Sequence, residues 1–497
     1  MKIVIVGGGT AGWLAATHFV KHTTGYDVTV IESLNIPIIG AGEGATALLP
    51  WFLMDGWDNG GIDEKDFLRK TKGTIKLAIN LKNWKGDGKN FYSPIHASST
   101  YRQPYDTAFL GSILKYGRAD MSSIHSWLLE EGLTTYDKSY KKFLSGLASN
   151  SYHFDGNEVG KYFKELCIKK GVKVINTEVE DTKFDENEYL KSITLKNGDI
   201  IGADLWFDCT GFSRTLVGKT KNKWISFKEN LPVNSAIPFS TPITSKTVRF
   251  ETLAETMNAG WMWKIPLQER YGNGYVFCDD FQTFDKGVEE LENNLGHSID
   301  PIREIKFETG RYDEVWYKNI VSVGLSSHFL EPLQATSIHI SILSLSNLLM
   351  HFLRDVNSIT NDTNRMRYNT DINRVIDDYK DFIQMHYLAG RSDTPFWKFM
   401  KNEIKLTDRN AEYLEISKSR SLNIFDFDSS HGTPGWGVWG HIIDMVGLYN
   451  KSTIEKELIN ANKLQNAEIS INKIITDFNK AKIIAINSEE FFKYIKI

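Results

Sequence analysis

The stretch Ile3-Val4-Ile5-Val6-Gly7-Gly8-Gly9-Thr10-Ala11-Gly12-Trp13 decides the fold. Residues 3–6 are uniformly apolar, as a strand buried on both faces requires, and residues 7–12 fit G-x-G-x-x-G directly behind it. The pattern predicts a helix over 12–23 and a second strand over Asp27-Val28-Thr29-Val30-Ile31-Glu32, a right-handed βαβ opening. Gly7 permits the turn, Gly9 lets the backbone approach a pyrophosphate, and Gly12 allows close packing of the helix. The N-terminus of that helix faces the phosphates with free N–H groups, and Thr10, Ala11 and Trp13 beside it are expected cofactor contacts. Glu32 stands twenty residues beyond Gly12, where its carboxylate can accept hydrogen bonds from an adenosine ribose. Strand, glycines, helix and acid together specify a dinucleotide site. NAD stays open on these residues; FAD is favoured because an extended flavin needs distant contacts, and glycine turns recur at 208–211 and 324–325.

Outward from this unit, the chain reads as an α/β lobe followed by helices. An amphipathic helix over 156–169, a strand over 172–175 and Leu205-Trp206-Phe207-Asp208-Cys209-Thr210-Gly211 return the chain to the nucleotide lobe. Short strand-like runs, among them 248–250 and 274–277, predict a second sheet over the cofactor. Residues 336–355 are helical and apolar, and beyond about 360 the pattern is mostly helical. The expected division is 1–224 for the nucleotide lobe with an inserted segment, 225–316 for the second sheet, 317–355 for the return to the cofactor, and 356–497 for a helical region. The last stretch is rich in Lys, Asn, Ile and Glu and is expected to be a surface helical appendage or partly unfolded.

Composition narrows the classes further. At 497 residues the chain exceeds one compact core, so two packed lobes are expected. Lys and Arg number 58 against 62 Asp and Glu, which gives no general attraction to nucleic acid or an anionic membrane. Cys167, Cys209 and Cys278 are isolated and odd in number, as reduced cytoplasmic thiols are, and they exclude a structural metal site of the CxxC type. The immediate entry into a strand leaves no room for a signal peptide, and no transmembrane run is expected.

Three later segments carry a resemblance. Trp261-Met262-Trp263-Lys264-Ile265-Pro266 matches W-x-W-x-I-P, Thr74-Ile75-Lys76-Leu77-Ala78-Ile79 precedes Trp84, and Phe329-Leu330-Glu331-Pro332-Leu333-Gln334-Ala335-Thr336-Ser337-Ile338 follows the second glycine turn. With the glycine loop and Asp393-Thr394-Pro395-Phe396-Trp397, these resemble the flavin-dependent halogenases of the tryptophan halogenase type, over nearly nine tenths of the chain. The resemblance implies the fold of FAD-dependent aromatic monooxygenases and a reaction in which reduced FAD, oxygen and a halide yield hypohalous acid. That oxidant crosses an internal tunnel to a catalytic lysine, here Lys76, beside an electron-rich aromatic substrate. It also implies a separate NAD(P)H-dependent flavin reductase, FAD contacts at Val179, Leu325 and Ile338, halide held at Thr336 and Ser337, and a flavin–substrate wall of Trp261, Trp263, Ile265 and Pro266. The residues add a physical context. Trp261 and Trp263 share one strand face, and an ammonium in the apolar surroundings of Lys76 is disfavoured by desolvation.

Gln334 stands where most of the family carries a glutamate beside the halogenating centre. A neutral amide can orient a group but is a poor proton acceptor. Three readings stay open: halogenation of reactive arenes that need less help, a substitute carboxylate such as Glu331, or a slow or altered activity. With Gln334 present, bromide or iodide is expected to outperform chloride. Indole-handling members often have His-Pro-Phe where this chain has Ser93-Pro94-Ile95, so the pocket is expected to differ, with His96, Trp436 and Trp439 as further candidates. The alternatives are an FAD-dependent aromatic monooxygenase and a noncatalytic flavin-binding protein; a homodimer stays open.

Overall fold

The computed structural model describes residues 1–22, 25–35, 42–54, 61–95, 106–144, 150–245, 247–427 and 432–496; His96 lies outside them. The apolar run Lys2–Val6 sits at the centre of a six-stranded sheet, paired in parallel with Asp27–Glu32 on one side and Leu205–Asp208 on the other. Lys173–Asn176 and Ile320–Ser322 extend it in parallel, and Trp316–Tyr317 closes one edge by a hairpin. The helix Thr10–His22 buries its Trp13–Phe19 segment against this sheet, starting two residues earlier than the sequence pattern suggested. A parallel sheet covered on both faces explains the unbroken apolar strand.

A second sheet of seven strands runs in the order Ile305–Lys306, Ser235–Pro242, Arg270–Phe277, Gly260–Pro266, Glu251–Met257, Ala78–Lys82, Tyr92–Pro94. It reaches beyond the expected 225–316 segment, since its last two strands come from the first part of the chain. Residues 248–250 are not strand; that strand starts at Glu251. A small antiparallel sheet of Glu43–Gly44, Ser151–Phe154 and Thr74–Lys76 links the two larger sheets in sequence and brings Gly44 to the lysine strand. One apolar core connects both lobes, and a smaller one lies under the outer face of the nucleotide sheet.

The helix Thr336–Asn347 continues as a π-helical turn over Leu348–Phe352. The stretch Leu333–Phe352 is apolar and long enough to cross a membrane by length and composition, with a mean hydropathy of 1.2, and 67% of its apolar window is buried inside the protein. Its apolarity is that of a core helix. The last described stretch is mostly helical, the first of the two expected alternatives, and it packs back on the fold. Leu464–Ile484 packs on Thr107–Tyr116, Ala485–Asn487 pairs antiparallel with Leu133–Asp137, and Ser488–Lys496 buries Phe491 and Ile495. Apolar residues spaced along Lys- and Asn-rich helices supply this face, and the high polar content hides it from a compositional reading. Cys167, Cys209 and Cys278 are buried and unpaired.

Candidate active site

A cavity of about 1100 Å³ runs from the glycine loop to Lys76. Gly7, Gly9, Thr10, Ala11, Trp13, Glu32, Val179, Leu325 and Ile338 line it at one end, and Lys76, Trp261, Trp263, Ile265, Gln334, Thr336 and Ser337 line the same space. Gly12 and Pro266 do not line it.

At the first end the backbone shapes the site. Gly7 has φ +115°, and a Cβ there would lie 2.2 Å from the Cys209 carbonyl oxygen. A Cβ on Gly12 would lie 1.8 Å from the Gly7 carbonyl oxygen, so helix and loop touch because both residues lack a side chain. A Cβ on Gly9 would meet nothing within 4 Å and would project into open space, as expected for a backbone that a phosphate approaches. Glu32 is already partnered: Trp13 Nε1 donates to it at 3.2 Å, and Lys164 forms a close ion pair with its other oxygen. Lys164, on the helix Gly156–Lys169, had no sequence signal. Glu43 was also missed, although it lies between two glycines; it lines the cavity near Thr10, and burial raises its carboxyl to about 7.

At the other end side chains make the site. Lys76 ends the strand Thr74–Lys76 and is 1% exposed, and its Nζ donates no hydrogen bond to a described residue. Burial brings its ammonium down to about 7. A Cβ on Gly44 would stand 3.3 Å from Lys76 Nζ, 3.4 Å from Thr252 Oγ1 and 3.5 Å from the His153 ring, so Gly44 makes room for the ammonium. His153 is fixed on both ring nitrogens, by Thr74 Oγ1 at 3.2 Å and Thr252 Oγ1 at 2.8 Å, and burial followed by the Lys76 charge keeps it neutral.

Trp261 and Trp263 sit on one face of Gly260–Pro266 with ring centroids 6.2 Å apart. Trp263 has room because Gly274 lies opposite: a Cβ there would be 2.1 Å from the indole. Trp261 Nε1 donates to Glu331 at 3.2 Å, and Tyr387 Oη donates to the same carboxyl at 2.9 Å. Burial raises Glu331 to about 8 against those two hydrogen bonds. Glu331 therefore anchors Trp261.

Gln334 and Ala335 both have left-handed backbone, with φ 65° and 56°. Neither is glycine, so each carries strain of about 1 kcal/mol or more. The double turn launches the helix Thr336–Asn347 without a side-chain cap, and Thr336 Oγ1 is buried with no partner. A helix start of this kind, with an unsatisfied hydroxyl at the cavity, fits an anion at Thr336 and Ser337. Trp263 Nε1 is likewise buried and unpartnered beside the cavity. These orphaned donors and the open face at Gly9 fit a bound dinucleotide and halide.

The segment Ser93-Pro94-Ile95 pairs with the strand just after the lysine: Ile79 faces Ser93, Ala78 faces Pro94, and Ile95 N–H donates to the Leu77 carbonyl at 2.8 Å. The helix Trp436–Met445 packs against it. Ile79 lines the 1100 Å³ cavity, whereas Ser93, Pro94, Ile95, Trp436 and Trp439 do not. Trp436 packs on Phe109 at 4.9 Å, and Trp439 is enclosed by Phe382, Tyr413 and Phe427, as a core residue is. His386, which bonds Gln334, and Tyr387, which bonds Glu331, close the helix Asp362–His386; spacing alone gave no reason to connect them with residues fifty positions earlier.

A profile of the family described as Tryptophan halogenase matches residues 2–446. The tryptophan 7-halogenase RebH of Lentzea aerocolonigenes is 30% identical over 440 residues, covering 84% of this chain and 82% of that protein. The tryptophan 6-halogenase ThaL of Streptomyces albogriseolus is 29% identical over 446 residues, with 84% and 82% covered. Among solved structures, Tar14, a tryptophan C-6 flavin-dependent halogenase (chlorinase) from taromycin biosynthesis, superposes with a TM-score of 0.90 at 27% identity, covering all of both chains. With a dinucleotide loop, a tryptophan wall and a buried lysine on one cavity, the chain belongs to the tryptophan halogenase family.

Proposed function

We propose that this enzyme halogenates an electron-rich arene such as an indole, using reduced FAD, oxygen and halide, with bromide or iodide preferred over chloride. The observation that carries this reading is the continuous cavity with a glycine-built dinucleotide cradle at one end and the buried Lys76 at the other. When bound, reduced FAD with oxygen supplies the oxidation of halide to hypohalous acid. Gly7, Gly9, Thr10, Ala11, Gly12, Trp13 and Glu32 hold its adenosine diphosphate part, while Val179, Leu325 and Ile338 border the rest of the cofactor space. Thr336 and Ser337 hold the halide.

Trp261 and Trp263, fixed by Glu331 and Gly274, keep the arene away from the cofactor. Lys76 receives hypohalous acid and aims its halogen at the arene. Being near pH 7, it can donate a proton to the departing oxygen or offer a lone pair. The net step forms a carbon–halogen bond, breaks the halogen–oxygen bond, and releases the ring proton and hydroxide as water. A neutral Gln334 offers less stabilisation to the cationic ring than a carboxylate, which favours reactive arenes and easily oxidised halides. Ser93, Pro94 and Ile95, beside the lysine strand, are the nearest described candidates for the substrate wall, whereas Trp436 and Trp439 pack into the core behind them. A separate NAD(P)H-dependent reductase supplies the reduced flavin, because one dinucleotide fingerprint is present, and the enzyme works in the cytoplasm.

The test is a chloride, bromide and iodide competition across indole, tryptophan, phenol and pyrrole, with reduced FAD and oxygen supplied and products read by mass spectrometry. Bromo- or iodoarenes should dominate. Dominant chlorination of free tryptophan would overturn the halide and substrate preference, and hydroxylated product without halide would move the assignment to a monooxygenase.

A further inference from the structure

Gln334 is held from behind by a residue outside all the sequence motifs. Its Nε2 lies 2.9 Å from His386 Nε2, and His386 Nδ1 lies 2.9 Å from the Phe382 carbonyl oxygen. A carbonyl can only accept, so Nδ1 carries the imidazole proton. His386 is fully buried, packed edge-on against Trp84 and Phe382, and burial holds its imidazole down to about 3, so the ring is neutral. The remaining nitrogen, Nε2, is a lone-pair acceptor, and the group of Gln334 that can meet it is the NH₂. This fixes the amide. Its carbonyl oxygen has no partner among the described residues, and Gln334 borders the cavity while His386 does not.

We infer that His386 is a positioning residue for Gln334: it grips the amide by its NH₂ and leaves the carbonyl oxygen facing the cavity as a hydrogen-bond acceptor for an O–H or N–H group. On the halogenase reading, on which this step rests, the donor is hypohalous acid or the N–H of the arene. The pair also shows why glutamine suits this protein. A carboxylate at 334 would set an acceptor against the Nε2 lone pair, and His386 would have to take a second proton or move its proton from Nδ1, losing the Phe382 bond. Glutamine and a neutral His386 match; glutamate and a neutral His386 in this tautomer do not.

The direct test reads the imidazole in full-length protein labelled with [15N]histidine, with His386 identified by its loss in His386→Gln. At neutral pH, wild type should show the neutral Nδ1–H tautomer, and Gln334→Glu should convert it to the imidazolium or the Nε2–H form. An Nε2–H tautomer in wild type, or an unchanged His386 signal in Gln334→Glu, would overturn the inference. The acceptor role is read separately, with reduced FAD and bromide, as brominated product relative to free hypobromite for indole and 1-methylindole. Gln334→Leu should lower that ratio about five- to tenfold, the value of one hydrogen bond. A fall for indole alone assigns the acceptor to the arene N–H, a fall for both assigns it to hypohalous acid, and no fall for either overturns it. Absence of brominated product in wild type would sink the halogenase reading, while the tautomer measurement would still decide the pairing.

Discussion

At the glycine-loop end of the cavity missing side chains set the shape: Gly7 lies against the Cys209 carbonyl, Gly324 lies against Ala11, and Gly9 leaves its face open. At the lysine end the lining includes side chains held by partners from other parts of the chain: Trp261 by Glu331, Glu331 by Tyr387, Gln334 by His386. The backbone conformations follow the same division. Left-handed geometry falls on glycine at Gly7 and Gly324, but on Gln334 and Ala335 at the turn beside the reacting space. A backbone cradle recognises a cofactor through its phosphates, a common group, whereas the side-chain end must be shaped for one reaction.

The comparison is broken most severely by Gly12→Ala. With a Cβ 1.8 Å from the Gly7 carbonyl, the loop must open, and FAD affinity should fall by about a hundredfold or more in a fluorescence titration, since a backbone clash cannot be relieved by a rotamer change. FAD binding within threefold of wild type would show that the glycines do not set the cradle.

Lys76 sharpens the other side through its pH dependence. Its pKa falls from 10.5 in the unfolded chain to about 7 in the folded protein, so between those values the unfolded chain binds more protons. Wild-type stability should therefore gain with rising pH over that window relative to Lys76→Met, by at most about 1.4 kcal/mol per pH unit. Parallel urea-unfolding curves from pH 7 to 10 check this; a constant difference between the two proteins would mean that Lys76 is not desolvated.

Gly44→Ala places a methyl 3.3 Å from Lys76 Nζ. Product formation should drop about tenfold with FAD affinity retained if Lys76 has the proposed role, because a small displacement of a group that aims the halogen is costly. Equal loss of both would couple the two ends more tightly than their construction implies. The smallest effect belongs to Ala335→Gly, which removes the Cβ from a left-handed position; it should stabilise the fold by up to about 1 kcal/mol in thermal or urea unfolding. Destabilisation would show that the turn at 334–335 is not strained.

The same division explains what the sequence made legible. Glycine spacing behind an apolar strand is local, and it located the cradle, the first helix and Glu32 before any tertiary contact was known. Lys76, Gln334 and the wall tryptophans were identified through resemblance, since segments near 76, 261 and 334 share no local pattern that says they meet. His386 and Tyr387 stayed hidden because their partners lie 52 and 56 residues away and a polar residue closing a long helix is ordinary. Trp439 misled for the opposite reason: a tryptophan in an apolar helix can face a pocket or a core, and the rings of Phe382, Tyr413 and Phe427 decide for the core. The strand over 251–257 and the C-terminal return were obscured by polar residues on faces that pairing and packing cover.

The central claim is that Lys76 acts after the oxidant has formed, at the far end of a shared cavity. The measurement that tests it most directly supplies reduced FAD, oxygen, bromide and indole to wild type and Lys76→Ala, and quantifies bromoindole and free hypobromite side by side. The account predicts that the variant loses bromoindole while still binding FAD and releasing hypobromite; bromoindole formation equal to wild type would contradict it.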